Sequence, residues 1–173
     1  MKFAVALSIS AVMWAAGPLV PGVGNFAQVD ERLYRGGQPS AEGLNSLVKL
    51  GVKTVVDLRN GERKNGEREA VEKLGMKYVQ VPLNAFSPPT EDQVAKVLAL
   101  LEPPASSDWP VFIHCMRGKD RTGVIVATYR IVHDRWDNRR ALEEARAHGM
   151  SRMERSMQQF ILNYKPDRNL STR

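Results

Sequence analysis

The residues best suited to chemistry lie in one stretch, 114–123, with the sequence HCMRGKDRTG. Cys115 is the only cysteine in the chain and a potential nucleophile. The cations Arg117, Lys119 and Arg121 follow it closely, and such surroundings favour a thiolate over a thiol. If the loop curls with its N–H groups inward, the Arg121 guanidinium faces the sulfur and can hold two phosphate oxygens. The stretch therefore predicts a reactive thiolate next to a phosphate-binding site.

Other residues of the stretch suit the same chemistry. Gly118 permits a positive φ at mid-loop, as a tight anion cradle requires. Thr122 brings a hydroxyl beside the sulfur. A buried structural cysteine would explain Cys115 alone, but it explains Gly118, Arg121 and Thr122 poorly. Two interpretations of His114 stay open. Either it lies behind the thiolate and influences its stability, or it is a core histidine whose hydrogen bonds are satisfied.

The flanking elements must position this loop. Residues 110–113 are apolar with β-branched members and predict a buried strand, and residues 124–132 predict a buried helix. A loop between a strand end and a helix start is where α/β folds bind ligands. The helix N-terminus offers free N–H groups and a positive dipole end to an anion.

The pattern His-Cys-x5-Arg-Thr-Gly resembles the phosphate loop of the cysteine-dependent protein tyrosine phosphatases of dual-specificity type. The resemblance implies a phosphocysteine intermediate, with no metal and no other cofactor. It implies that Cys115 is the nucleophile, that Arg121 binds phosphate and stabilises the transition state, and that Thr122 assists breakdown of the intermediate. The residues expected to bind substrate, through loop N–H groups or side chains, are Met116, Arg117, Gly118, Lys119, Arg121 and Arg35.

A second segment, 25–39, is similar to the opening of the plant and fungal atypical dual-specificity phosphatases and their bacterial relatives. In such proteins this segment lies close to the phosphate loop. Arg35 is then either a surface cation or a residue that supports the loop. The resemblance covers residues 25–164 and implies an α/β three-layer sandwich with a mostly parallel central sheet flanked by helices.

The general acid is the point at which the chain departs from the family. The family takes the proton from an aspartate on a separate loop, but the corresponding loop, 82–89, contains no Asp or Glu, and Asn84 stands in the expected place. Asp120 inside the phosphate loop is one candidate, unless it is paired with Arg35 or Arg121. Glu91 or Asp92 is a second. The third is an enzyme without a dedicated acid that prefers good leaving groups.

The cations of the loop bear on the substrate. Phosphorylated proteins are the expected substrates, but Lys119 matches a loop lysine of phosphoinositide and inositol phosphate phosphatases. Inositol phosphates, inositol pyrophosphates and phosphoinositides are therefore an alternative. A non-catalytic phosphate-binding module is a hypothesis of another class. Sulfur transfer on a rhodanese-like loop is disfavoured by the Arg-Thr-Gly sequence that follows.

Length and charge bound the remaining expectations. The 173 residues suit one domain, with 43% hydrophobic and 25% charged residues, as in globular proteins. A net charge of +6 suits anionic substrates. The absence of an aromatic-and-basic motif gives no support for a nucleic acid partner. A monomer is expected.

Residues 1–24 resemble a secretory signal peptide, with Lys2 before a short apolar core. An uncleaved N-terminal anchor is the alternative, and only then is membrane attachment expected. We expect export to the periplasm or medium of a bacterium. The phosphatase domain is predicted to span 25–165 and a flexible tail 166–173.

Periodicity and capping residues predict the elements of the domain. The predicted strands are 33–35, 52–58, 77–81 and 110–113, and the predicted helices are 40–50, 67–74, 90–101, 124–132, 137–149 and 153–164. The last helix is expected to turn Met153, Met157, Phe160 and Ile161 inward.

Overall fold

The computed structural model describes residues 19–61, 66–102 and 106–166. Residues 1–18 of the expected leader, and residues 167–173 of the expected tail, lie outside this described part. None of the helices in the described ranges is long and apolar enough to cross a membrane.

The fold is built on a five-stranded sheet in the order β1-β2-β5-β3-β4. The strands are β1 (Ala27–Gln28), β2 (Leu33–Gly36), β3 (Thr54–Asp57), β4 (Lys77–Gln80) and β5 (Val111–His114). Only β1 pairs antiparallel, with β2, and the other three pairings are parallel. The mostly parallel sheet predicted from the sequence is confirmed, and β5 lies at its centre.

Six α-helices of the described part of the chain cover the sheet. They are α1 (Ala41–Lys49), α2 (Glu67–Lys73), α3 (Glu91–Leu101), α4 (Asp120–Val132), α5 (Asn138–Ala147) and α6 (Arg155–Asn163). Alternate residues of β5 enter different cores, as a strand with both faces covered requires. Phe112 packs with residues of α1 and α2, whereas Val111 and Ile113 pack with residues of α3 and α4. The three-layer arrangement is confirmed.

Side chains cap the first turns of three helices, as the predicted helix starts require. The Ser40 side chain accepts from the Gly43 N–H, Asp137 accepts from two N–H groups of α5, and Thr90 forms a capping box with Gln93. Each satisfies N–H groups that the first turn of a helix leaves without an intrahelical partner.

Three details differ from the sequence predictions. Helix α4 begins at Asp120 rather than near Val124, so the end of the phosphate loop is already helical. Met153 is 87% exposed, not inward, because α6 begins only at Arg155. Strand β1 was not predicted, since two residues are too few for a periodic signal.

Residues 19–24 belong to the segment expected to be a leader, yet part of it packs against the domain. Val23 is 7% exposed and joins the core of α1 and α2. The Gly22 carbonyl accepts a hydrogen bond of 2.9 Å from the Ser40 N–H. The contacts of the domain therefore begin before residue 25.

Candidate active site

The Cys115 loop occupies the carboxyl edge of the sheet. Strand β5 ends at His114, α4 begins at Asp120, and residues 115–119 turn between them. The neighbouring strands end at the same level, since His114 is in register with Gly36 of β2 and Asp57 of β3. Cys115 is 3% exposed. The nucleophile predicted from the sequence thus lies at the sheet position where parallel folds bind ligands.

The shape of the loop depends on Gly118. Its φ is 68°, as the sequence analysis expected, and its carbonyl accepts hydrogen bonds from Arg35 Nη2 at 2.8 Å and Asn25 Nδ2 at 2.7 Å. A Cβ at this position would lie 2.3 Å from the carbonyl carbon of Gly36, so backbone meets backbone here. The Gln38 N–H also donates to the Met116 carbonyl at 3.2 Å. The 25–38 segment therefore holds the loop from below.

Arg35 is buried rather than a surface cation. Its side chain is 1% exposed, and burial lowers the pKa of its guanidinium to about 10, although the charges of Glu144 and Cys115 act in the opposite direction. Nε and Nη1 have no hydrogen-bond partner among the described residues. Arg35 is one of the residues predicted to bind substrate, and in the structure its guanidinium lies under the loop and donates to the Gly118 carbonyl.

Arg121 lies in the first turn of α4 and is partly exposed. Its Nη1 donates to the Leu58 carbonyl at 3.5 Å, and the Leu83 N–H donates to the same carbonyl at 3.1 Å. Arg121 therefore sits between the ends of β3 and β4. No salt bridge of Arg121 occurs within the described ranges, so its charge is available to an anion.

Asp120 is held by a contact that the sequence did not suggest. Its Oδ1 accepts a hydrogen bond of 2.8 Å from the Ser151 N–H, which ties α4 to the turn after α5. Among the described residues, neither Arg35 nor Arg121 forms a salt bridge with it. The expected alternative of an arginine pair is not found, and Asp120 stays a candidate acid with one oxygen already engaged.

The other loop residues divide by exposure. Thr122 is fully buried, and within the described part of the chain its hydroxyl has no hydrogen-bond partner. Gly118 is buried, whereas the side chains of Met116, Arg117 and Lys119 are exposed. The exposed side chains form the rim that a substrate would meet first.

The loop that should carry the acid is built around Asn84. The side chain is exposed, and its Oδ1 accepts from the Phe86 N–H at 2.8 Å, a local turn typical of Asn. Glu91 and Asp92 lie in the first turn of α3, as the sequence predicted, where carboxylates favour the positive end of the helix dipole. Each has a structural role in its own element.

A cluster of buried charged residues lies behind Cys115 and was not predicted from the sequence. Arg59 is fully buried and donates to Asp57 through Nε and Nη2, each at 2.8 Å, and Nη2 lies 2.5 Å from Glu67 Oε2. The Tyr78 hydroxyl donates to Asp57 at 2.6 Å. His114 completes the cluster, with Nε2 at 2.9 Å from Glu67 Oε1. The one sequence signal was the charged pair Asp57 and Arg59 at the end of an apolar strand.

The same cluster shifts two pKa values. Burial by itself would raise the pKa of Asp57, but hydrogen bonds from Arg59, the charge of His114 and the Tyr78 hydroxyl outweigh it, so the pKa lies below its usual value. Burial and the bond to Asp57 raise the pKa of Tyr78. Asp57 is therefore held as a carboxylate, and Tyr78 as a neutral donor.

Three members of the cluster have the ligand types of a metal site. Asp57, Glu67 and His114 offer atoms that lie within 4.8 Å of one another. However, the Arg59 guanidinium already bonds both carboxylates. The positive charge beside these carboxylates is therefore supplied by the Arg59 side chain, and the arrangement is an ion-pair cluster.

Comparison with known proteins agrees with this geometry. A family model described as "DSP-PTPase phosphatase fused to NAD+ Kinase" matches residues 23–163. The putative tyrosine-protein phosphatase OCA1 of Mycosarcoma maydis is 36% identical over 129 residues, which cover 70% of this chain and 78% of that protein. The dual specificity protein phosphatase TpbA of Pseudomonas aeruginosa PAO1 is 38% identical over 125 residues, covering 69% of this chain. The match spans only 52% of the length of TpbA.

A plant relative and two solved structures extend the comparison. Inositol diphosphatase DSP1 of Oryza sativa subsp. japonica is 32% identical over 69% of this chain and 54% of that protein. A Cys-to-Ser variant of P. aeruginosa TpbA in complex with pTyr has a TM-score of 0.72 at 30% identity, over 85% of this chain and 88% of that one. The catalytic domain of the PP-IP phosphatase SIW14 of S. cerevisiae, in complex with citrate, has a TM-score of 0.72 at 28% identity, over 83% and 87% of the chains.

Proposed function

This chain belongs to the dual-specificity phosphatases of the cysteine-dependent superfamily, and we propose that it hydrolyses phosphate monoesters through a phosphocysteine intermediate on Cys115. One observation carries the proposal: a cysteine at the end of the central strand begins a loop that Gly118 curls and α4 closes. Loop N–H groups and the helix dipole then face the position of an anion. Phosphorylated proteins are the proposed substrates.

In the first step the Cys115 thiolate attacks phosphorus, so the S–P bond forms and the bond to the leaving oxygen breaks. The leaving group takes a proton from an acid or from water. In the second step water attacks phosphorus, the P–S bond breaks, and the thiolate and inorganic phosphate are released. Arg121 and the loop N–H groups stabilise the charge on the equatorial oxygens in both steps. The buried Thr122 hydroxyl, which has no hydrogen-bond partner among the described residues, is suited to stabilise the departing thiolate.

Asp120 is the proposed proton donor of the first step. It is adjacent to Arg121 in the sequence, and among the described residues only its Oδ1 accepts a hydrogen bond, from the Ser151 N–H. General acid catalysis contributes about 10²–10⁴-fold when the leaving group is a poor one. If Asp120 only ties α4 to the turn after α5, the enzyme has no dedicated acid and acts best on aryl phosphates and phosphoanhydrides.

The test is a pH–rate profile of p-nitrophenyl phosphate hydrolysis, in EDTA, for the wild type, Cys115→Ser and Asp120→Asn. We expect Cys115→Ser to be inactive and Asp120→Asn to lose the basic limb of the profile. An unchanged Asp120→Asn profile rejects Asp120 as the acid, so that the acid lies elsewhere or the enzyme has no dedicated acid. A wild type without turnover, or an active Cys115→Ser, rejects the phosphatase proposal in favour of a non-catalytic phosphate-binding module.

A second candidate substrate is an inositol polyphosphate or pyrophosphate. The exposed Arg117 and Lys119 on the loop rim support it, as does similarity to proteins named inositol diphosphatase and PP-IP phosphatase. A polyphosphate that contacts these two additional cations should bind more tightly. Salt should weaken this gain in affinity, because it screens exposed charges. Lys119→Met and Arg117→Met should then lower kcat/KM for an inositol pyrophosphate about tenfold while leaving p-nitrophenyl phosphate within about twofold. Equal effects on both compounds would favour the phosphoprotein.

Export is the proposed location, on the strength of the apolar segment after Lys2. Expression of the full chain in a bacterium, followed by fractionation and N-terminal sequencing, tests it. A shortened chain in the periplasmic or extracellular fraction supports a signal peptide, and a full-length chain in the membrane fraction supports the anchor. A monomer is proposed as well, and sedimentation of the purified chain tests it.

A further inference from the structure

Residues 20–24 form an N-terminal strap that is packed into the domain, although they lie in the segment expected to be a leader. Val20 packs against the core formed with α1 and α2, and its carbonyl accepts a hydrogen bond of 3.1 Å from the Val23 N–H. Val23 is 7% exposed, whereas Leu19 is 99% exposed. The packing of the strap on the domain therefore begins at Val20.

Gly22 fixes the strap on the first turn of α1. Its φ is 77°, and its carbonyl accepts a hydrogen bond of 2.9 Å from the Ser40 N–H. A Cβ added to Gly22 would overlap the backbone nitrogen of Gly43, because the two backbones are in direct contact there. A Cβ added to Gly24 would have no atom within 4 Å. The contact with α1 therefore requires glycine at position 22 but not at position 24.

The other end of the strap holds the residues that lie beneath the phosphate loop. The Gly24 carbonyl accepts a hydrogen bond of 2.7 Å from the Gly37 N–H. Cγ1 of Val23 lies 2.7 Å from the place that a Cβ would take at Gly36. On its other side Gly37 meets the loop, since a Cβ added to it would lie 3.2 Å from the carbonyl carbon of Arg117. The Gly36–Gly37 backbone is thus enclosed between the strap and the loop.

We propose that the working enzyme retains the strap, which positions Gly36 and Gly37 against the phosphate loop, and that any removal of a leader occurs before Val20. Residues 20–22 have the spacing of a small-residue cleavage signal. Cleavage after Gly22, however, would remove both the packing of Val20 and the hydrogen bond from Ser40. The strap residues do not touch the reacting atoms and act through the backbone beneath the loop. The inference rests on the proposed function in assigning that loop to catalysis.

The first test is the N-terminus of the protein after expression of the full chain in a bacterium, measured by intact mass. We expect an N-terminus at or before Val20, whether or not a leader has been removed. An isolated chain that begins at Val23 or later would overturn the proposal.

The second test is the affinity of the full chain for inorganic phosphate, measured by calorimetry with Cys115→Ser in every sample so that no turnover occurs. We expect Gly22→Ala to bind phosphate about tenfold more weakly, because a loop that is no longer held must be ordered on binding. Gly24→Ala is the matched control within the strap and should stay within about twofold of the parent chain. Gly51→Ala controls for the strain of a positive φ, since its φ is 80° and no atom lies within 4 Å of the added Cβ. It should bind phosphate as the parent chain does.

Equal phosphate affinities of Gly22→Ala and Gly24→Ala, both folded by thermal unfolding, would overturn the positioning role, because a segment that only stabilises the fold leaves the affinity of folded protein unchanged. If Gly22→Ala does not fold, Val23→Ala takes its place, since it keeps the backbone and removes the methyl groups beside Gly36. We expect Val23→Ala to bind phosphate about threefold more weakly, and an unchanged affinity would overturn the proposal. Neither test requires catalysis. A chain that hydrolyses no phosphate ester but loses phosphate affinity in Gly22→Ala would reject the phosphatase function and keep this inference.

Discussion

Arg35 and Gly118 are 83 positions apart and are joined by a hydrogen bond of 2.8 Å from Nη2 to the Gly118 carbonyl. The bond turns the carbonyl of the loop glycine down into the protein, toward β2. Because a peptide is planar, that orientation also directs the following N–H away from the guanidinium. A buried cation on one strand thus helps to set the shape of an anion-binding loop on the next.

Replacing Arg35 should lower the activity of the loop more than it lowers the free energy of unfolding. Arg35→Met keeps most of the side-chain volume but removes the bond to Gly118, leaving Asn25 as that carbonyl's other donor. A bond from a charged donor contributes about 1.5–3 kcal/mol, so we expect kcat/KM for p-nitrophenyl phosphate to fall about 10–100-fold. The free energy of unfolding should change by less than about 1 kcal/mol, because the substitution also removes a buried charge, two of whose nitrogens have no hydrogen-bond partner among the described residues. Steady-state kinetics and urea unfolding measure the two effects, and Arg139→Met on the exposed surface controls for net charge. Equal activity of the two variants would contradict the supporting role.

Gly118 should tolerate no side chain. Gly118→Ala combines a φ of 68° with a Cβ placed 2.3 Å from Gly36 backbone, so we expect a loss of about 2–4 kcal/mol in the free energy of unfolding and little remaining activity. Gly51→Ala is the matched control, since its φ is 80° but no atom lies within 4 Å of the added Cβ. That variant should lose only about 1 kcal/mol and keep full activity. Similar losses for both would show that backbone strain alone, and not the contact with β2, governs Gly118.

Asn25 should act through both its side chain and its backbone. Nδ2 donates to the Gly118 and His148 carbonyls, and the residue has a φ of 52°. Asn25→Gly loses the two bonds, and Asn25→Ala loses them and adds the strain of a positive φ. We expect Asn25→Ala to be less stable than Asn25→Gly by about 1 kcal/mol, with the activities of the two variants lowered equally. Urea unfolding beside kinetics separates the effects, and a more stable Asn25→Ala would refute the strain.

His148 should make the domain less stable in acid. Burial, with the charges of Arg35 and Arg130, lowers its pKa to about 4 from an ordinary value of 6.5. The unfolded chain therefore binds a proton at His148 between those values while the folded chain does not. Stability is lost as the pH falls from 6.5 to about 4 and changes no further below that range. Because the side chain is partly exposed, we expect this contribution to be about 1–2 kcal/mol. Urea unfolding at several pH values should show a smaller acid loss for His148→Gln than for the wild type, and parallel curves would contradict the prediction.

The sequence by itself determined the chemistry of the site and most of the elements that position it. Cys115, Gly118 and Arg121 lie close together in the chain, so a strand, a loop and a helix N-terminus suffice to predict an anion cradle. The strands and helices follow from local periodicity and from caps such as Ser40 and Asp137, which act within a few residues. Even the missing acid on the loop of Asn84 was readable from the sequence alone.

Only the tertiary structure decided which distant groups meet behind and beneath that loop. From the sequence, Arg35 was equally suited to the surface and to a role in supporting the loop, because no residue near β2 in the sequence indicates that its partner is the Gly118 carbonyl. Arg59 and Glu67 flank a stretch that the sequence suggests is a solvated loop. In the structure β3 and β5 are neighbours, and Glu67 lies 2.9 Å from His114. Met153 fitted a helical stripe, but its helix starts later. In each case the partner is contributed by a different element, and long-range contacts of this kind leave no periodic signal in the sequence.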